Sequence, residues 1–146
     1  MIFDKLRRLS EGFYPGLISA AFIMLLMGLP GKFFPRVVVF WEWIGPDKII
    51  HLFLFGSFSF LALWGYRKQI ISANSSSRLV SLLLALFLTI SYGALTELMQ
   101  KYVFINRSGN CLDFLANSIG CVLGVIVFYF CIKKKMKKIE KTENNI

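Results

Sequence analysis

The sequence predicts an all-α protein, an integral membrane bundle of four transmembrane helices with both termini cytoplasmic. Three observations carry this reading. Hydrophobic residues make up 56% of the 146, with a mean hydropathy of +0.63, and they come in long blocks instead of periodic faces. Blocks of that kind are what a bilayer requires. The cations gather in short clusters beside the blocks, and the few buried-type polar residues bunch at one end of them. A chain of this length is expected to form one domain, residues 1–146.

Residues 1–12 form a short polar head with Lys5, Arg7 and Arg8. The run Phe13–Leu29 stops at Pro30-Gly31 and is expected to be a retained first span, short and frayed around Pro15-Gly16. A signal peptide shares the basic head, but this run is long for one and no small-x-small cleavage pattern follows. The loop 30–46 has an aromatic centre. Its Trp41 and Trp43 suit the headgroup level, where an indole is apolar on its face and hydrogen-bonded at its edge; a contact surface for a lipid-like ligand is the alternative.

The second run is Ile49–Tyr66, whose helical rise of about 27 Å matches a hydrocarbon core. Pro46 ends what precedes it, and Asp47 is the expected N-cap. The polar break Arg67–Arg78, with Ser75-Ser76-Ser77, reads as a turn between antiparallel helices. The third run, Leu79–Thr96, passes directly into Glu97. The fourth, Leu112–Ile132, stops at Lys133-Lys134-Lys135, the start of a basic tail over 133–146.

The net charge of +9 raises the question of nucleic acid, but no aromatic-and-basic face or zinc pattern supports it. Orientation in a membrane explains the charge better. Lys5, Arg7 and Arg8, then Arg67, Lys68 and Arg78, then Lys133, Lys134, Lys135, Lys137, Lys138 and Lys141 all fall on one side. Lys32, Arg36, Lys48, Lys101 and Arg107 are left for the other. The positive-inside rule then puts both termini in the cytoplasm. Cys111, Cys121 and Cys131 form no C-x-x-C pair and read as structural.

Antiparallel spans bring the start of the second helix, the end of the third and the start of the fourth to the non-cytoplasmic end. Asp47, His51, Glu97, Gln100, Arg107, Asp113 and Asn117 all lie there. Asp47 and His51 are four apart, Glu97 and Gln100 three, Asp113 and Asn117 four, so each pair shares a helix face. Thr89, Gly93 and Thr96 continue the third helix's face inward. Ala116, Gly120 and Gly124 give the fourth a small-residue stripe suited to close packing. Taken singly, each polar residue has a structural reading as a cap, an ion pair or interhelical glue. Taken together, at a membrane face where desolvation is costly, they read as a ligand-binding pocket. His51, Glu97 and Asp113 are the conceivable metal ligands, but their spacing matches no metal motif. No metal and no cofactor is expected, and neither a phosphate loop nor a nucleophile elbow is present.

The spacing resembles that of the VanZ-like family, named after a protein linked to glycopeptide (teicoplanin) resistance. The match runs over about 45–125. It takes in Asp47-Lys48-x-x-His51 before a phenylalanine-rich span, Glu97-x-x-Gln100, Arg107 seven residues on, and Asp113, Asn117, Gly120 and Gly124 as D-x-x-x-N-x-x-G-x-x-x-G. Asn106 departs from it, where the family commonly has glycine before the arginine. The resemblance implies a small multi-spanning bacterial membrane protein acting on the cell envelope. It supplies no established reaction.

The first functional expectation is a binding or accessory protein of the cell membrane, whose partners beyond the bilayer are a lipid-linked envelope component or a lipoglycopeptide. Arg107 and His51 would contact anionic or carbonyl groups, with Glu97, Asp113 and Asn117 orienting them and the aromatic loop 33–44 touching the apolar part. The alternative is a small membrane-embedded enzyme with His51 or Glu97 as catalytic acid or base and Arg107 stabilising developing charge. An ion pathway fits poorly, because the acidic residues gather at one end only. Oligomeric state is not legible.

Overall fold

The computed structural model describes residues 2–29, 46–104 and 109–143. These form α1 (Ile2–Gly28), α2 (Pro46–Gly65), α3 (Arg67–Ser72), α4 (Ser75–Tyr102) and α5 (Cys111–Glu143), with no strand among the described residues. Asp47–Gly65 in α2, Ser75–Tyr102 in α4 and Cys111–Lys137 in α5 are each long and apolar enough to cross a membrane; Gly12–Gly28 of α1 is a shorter apolar stretch. The chain is a helical protein built for a lipid bilayer.

The side chains are distributed as lipid requires. On α4 the buried residues are Thr89, Gly93, Thr96, Glu97 and Gln100, while Leu83, Leu84, Phe87, Leu88, Leu95 and Leu98 face outward. In water that distribution would be inverted. In a bilayer the surroundings are as apolar as leucine, so small residues and paired polar groups take the interior.

Glycines set the helix crossings. A Cβ on Gly120 would run into the Leu52 carbonyl oxygen and lie 3.1 Å from the Gly56 nitrogen; one on Gly124 would meet the Gly56 carbonyl oxygen and lie 3.1 Å from the Phe60 nitrogen. The backbones of α2 and α5 therefore touch, running parallel. At the far end of α2 a Cβ on Gly65 would strike the Gly12 carbonyl oxygen, and Gly16 lies against Ala62, so α1 runs antiparallel to α2. Tyr92 ties α4 to α1 by donating its hydroxyl to the Ala20 carbonyl at 2.7 Å.

Two apolar clusters fill the bundle. Ile23, Met27, Phe55, Phe58 and Cys121 lie beneath the polar end, and Leu63, Ile70, Phe128, Ile132 and Met136 lie at the other. There Phe60 stacks on Trp64 at 5.3 Å, and Arg67 lies 4.9 Å over the Trp64 ring while donating to its carbonyl. The guanidinium thus stays attached to the end of the apolar zone.

Several boundaries differ from the sequence reading. α1 begins at Ile2 and carries Pro15 inside it without a break. Proline removes one helical hydrogen bond, a defect that transmembrane helices tolerate when a neighbour supports them; the Gly12 and Gly16 contacts with α2 flank it on both sides. Pro46 is the first residue of α2, where its missing N–H costs nothing, and Asp47 sits in the first turn instead of capping. The break Arg67–Arg78 contains α3, and α4 starts at Ser75 with the Asn74 side chain accepting from the Ser77 N–H at 2.8 Å. α5 runs through the lysines to Glu143, since lysine is a good helix former and ends the apolar span without ending the helix.

Candidate functional site

The site is assembled where α2 and α5 begin and α4 ends. Glu97 is its hub. One carboxylate oxygen, Oε1, accepts from Asn117 Nδ2 at 3.0 Å and lies 3.5 Å from His51 Nδ1. The other, Oε2, accepts from the Asn110 backbone N–H at 3.2 Å. His51 Nδ1 lies 2.9 Å from Asn117 Oδ1. A carboxylate can only accept, so Asn117 must turn its amide N–H₂ to Glu97 and its oxygen to His51. His51 must then donate from Nδ1, which leaves Nε2 directed away from Asn117.

Nε2 faces the acidic side of the site. His51 Nε2 is 3.8 Å from Asp47 Oδ1, and Asp113 Oδ1 is 3.4 Å from Lys48 Nζ. His51 and Asn117 are fully buried, as is the Asp113 carboxylate for all but 7% of its surface, whereas Asp47 is half exposed at the rim. Among the described residues Asp113 Oδ1 is buried without a hydrogen-bond partner, and the Lys48 ion pair opposes its desolvation.

Local structure explains how these groups reach one another. Asn110 caps α5: its side chain accepts from the Leu112 N–H at 3.1 Å, and its carbonyl accepts from Asp113 and Phe114. Asp113 is thereby released from the capping role and turns inward. Gly109 lets the chain pass directly over the end of α4, where a Cβ would overlap the Glu97 carbonyl oxygen. Gly93 gives room to Asn117, whose Cβ lies 3.3 Å from where a Gly93 Cβ would be.

Of the seven expected site residues, Asp47, His51, Glu97, Asp113 and Asn117 come together. Gln100 is buried but turns to α1, with Nε2 3.2 Å from Met27 Sδ and 3.5 Å from the Met27 carbonyl. Arg107, Asn106 and the aromatic loop 33–44 with Trp41 and Trp43 lie outside the described residues. Ala116, Gly120 and Gly124 line the buried side of α5 beneath the site. Sequence reasoning missed Gly109, Asn110 and Gly56 and gave Lys48 no role. Asn110 was legible as a cap, standing immediately before the helix; nothing in a lone Gly56 signals its two-residue contact with α5.

The sequence leads to no metal being expected, with His51, Glu97 and Asp113 only conceivable as ligands; the structure groups a different set. Asp47, His51 and Asp113 each offer one atom within 4.8 Å of the others, with Asp47 in the place expected for Glu97. Glu97 lies on the opposite ring nitrogen of His51. An apolar crevice of about 650 Å³ between α1, α2 and α4 lies toward the other end, lined by Gly12, Leu17, Ala62, Tyr66 and Leu84 among others, and is not part of this cluster. No family model, no curated protein and no solved structure matches this chain.

Proposed function

We propose that this is a VanZ-like protein of the cell membrane that binds a cell-envelope amphiphile or lipid-linked component in a polar pocket at the non-cytoplasmic face. Glycopeptide (teicoplanin) susceptibility is the phenotype such binding would alter. The observation that carries the reading is the buried Glu97–Asn117–His51 chain with Asp113 and Lys48 beside it, at one end of a bundle whose exterior is apolar. Buried polar groups in a membrane protein are expensive, and a whole cluster open at its rim through Asp47 suits recognition of a headgroup.

The orientation belongs to the proposal. The stretch Gly12–Gly28 rises about 25 Å, and its ends meet Gly65 on α2 and, through Met27, Gln100 on α4. These contacts at both ends support reading it as the fourth span. Arg67, Lys68, Arg78 and the lysines after Ile132 lie at the end away from the site, and this supports cytoplasmic termini by the positive-inside rule. In a variant keeping only Cys111, a membrane-impermeant maleimide added to intact cells should label the protein. A cysteine placed at Ser76 should react only after the membrane is opened, and the reverse pattern would invert the topology.

An enzymatic reading is favoured by one specific feature, the free Nε2 of His51 held in place from Nδ1. That is the arrangement of a general base aimed at a bound molecule. Lipid extraction from gently purified protein tests both readings. The wild type should carry a specific amphiphile, and Glu97→Gln should fold with near-normal yield and carry at least about tenfold less. Turnover of that amphiphile by the wild type would establish the enzyme; wild-type loading of Glu97→Gln would remove the site from the function.

A further inference from the structure

The proposed pocket has an electrostatic inconsistency. Among its described residues are three carboxylates, Asp47, Glu97 and Asp113, against the single ammonium of Lys48. A headgroup carrying phosphate meets net repulsion from these groups, with Arg107, the cation expected to contact it, outside the described residues. Burying carboxylates in excess of their counter-charges is also costly in itself.

We propose that Asp47, His51 and Asp113 hold a divalent cation, and that the cation presents the pocket's positive charge to a phosphate-bearing headgroup. Four features support this. The three ligand atoms already lie within 4.8 Å of one another, and the His51 Nε2 to Asp47 Oδ1 separation is 3.8 Å. Ligands at about 2.1 Å from a tetrahedral ion are about 3.4 Å apart, a closure that rotation of the half-exposed Asp47 side chain provides. His51 offers the correct nitrogen, because Asn117 fixes its proton on Nδ1 and Glu97 stands behind; a carboxylate or amide acting through the far side of a histidine is the usual support for a metal ligand. Among the described residues Asp113 Oδ1 is buried without a hydrogen-bond partner and meets an ammonium at 3.4 Å, a carboxylate short of the contacts a metal would supply. One imidazole and two carboxylates suit Mn²⁺ or Zn²⁺ and leave positions for phosphate oxygens.

Lys48 competes for the same carboxylate. Its side chain is about a quarter exposed, so it can leave for solvent when the ion enters. This gives the inference a signature that a merely structural cluster lacks. Mn²⁺ binding to the purified full chain in detergent, followed by electron paramagnetic resonance, should saturate at one ion per chain. Asp47→Asn and Asp113→Asn should each weaken it by about tenfold or more. Lys48→Met should tighten it several-fold. Asp47 and Lys48 are partly exposed, so these two variants keep the measurement decisive if Asp113→Asn fails to fold. No saturable binding by either the wild type or Lys48→Met, or binding indifferent to Asp47→Asn, overturns the inference.

The inference rests on the proposed function only for the phosphate-bearing ligand, and a chelator separates the two. Amphiphile that stays bound after chelator treatment, in protein that binds no Mn²⁺, leaves the pocket reading standing and removes the cation. Mn²⁺ binding without any co-purifying amphiphile does the opposite.

Discussion

Gly120→Leu should abolish recovery of folded protein, and Gly120→Ala alone should lower its thermal stability. A Cβ at this position meets the Leu52 carbonyl oxygen and the Gly56 nitrogen. Both are backbone atoms of a regular helix, so neither can rotate away as a side chain would. The α2 and α5 axes must separate, and the separation propagates to Phe55, Asn117 and Cys121, each fully buried nearby. Overpacking of a tight interior costs about 1–3 kcal/mol even where side chains can yield, and here they cannot. Ile119, the adjacent residue, is 45% exposed toward lipid, so Ile119→Leu should stay within about 0.5 kcal/mol of the wild type. Melting curves in a mild detergent, with the monodisperse fraction on size exclusion, compare the three. Equal stability of Gly120→Ala and Ile119→Leu would mean that the two helices do not meet through their backbones.

Asn117→Leu should be nearly as damaging, for a different reason. The two side chains share a branched shape, so no cavity explains the loss, and crowding by the larger methyls adds to it. The substitution instead strands His51 Nδ1 and Glu97 Oε1, which Asn117 joins at 2.9 and 3.0 Å, inside an apolar bundle. Leaving a buried hydrogen-bonding group unsatisfied costs about 1–3 kcal/mol, and more for a charged one. Glu97→Gln should cost far less, because Gln keeps an oxygen to accept from Asn117 and removes a buried charge. The contrast is the measurement: stability should fall in the order wild type, Glu97→Gln, Asn117→Leu, while function falls fully in both variants. In the double variant the two losses should be strongly non-additive, since both break one network. Wild-type stability of Asn117→Leu would show that the chain of hydrogen bonds carries no structural energy.

Local pattern determined much of this protein. Long apolar runs with helical spacing suffice for the helical membrane fold, because only a helix satisfies its own backbone in lipid. The inward face of α4 was readable residue by residue, from Thr89 through Gly93 and Thr96 to Glu97 and Gln100, since one helix's periodicity is a property of its own axis. The convergence of Asp47, His51, Glu97, Asp113 and Asn117 followed from alternating directions of the helices. What periodicity does not contain is which neighbour a buried face meets. Gln100 shares its face with Glu97 yet turns to Met27 on α1, while Glu97 turns to Asn117 on α5. Asp47 and Glu97 are both near His51, but only the tertiary structure puts them on opposite ring nitrogens. That division, and with it the tautomer of His51, depends on how closely α2 and α5 approach. The approach is decided by glycine-to-backbone contacts between residues more than sixty positions apart, Gly56 with Gly120 and Gly124, and no local signal in the chain records such a pairing.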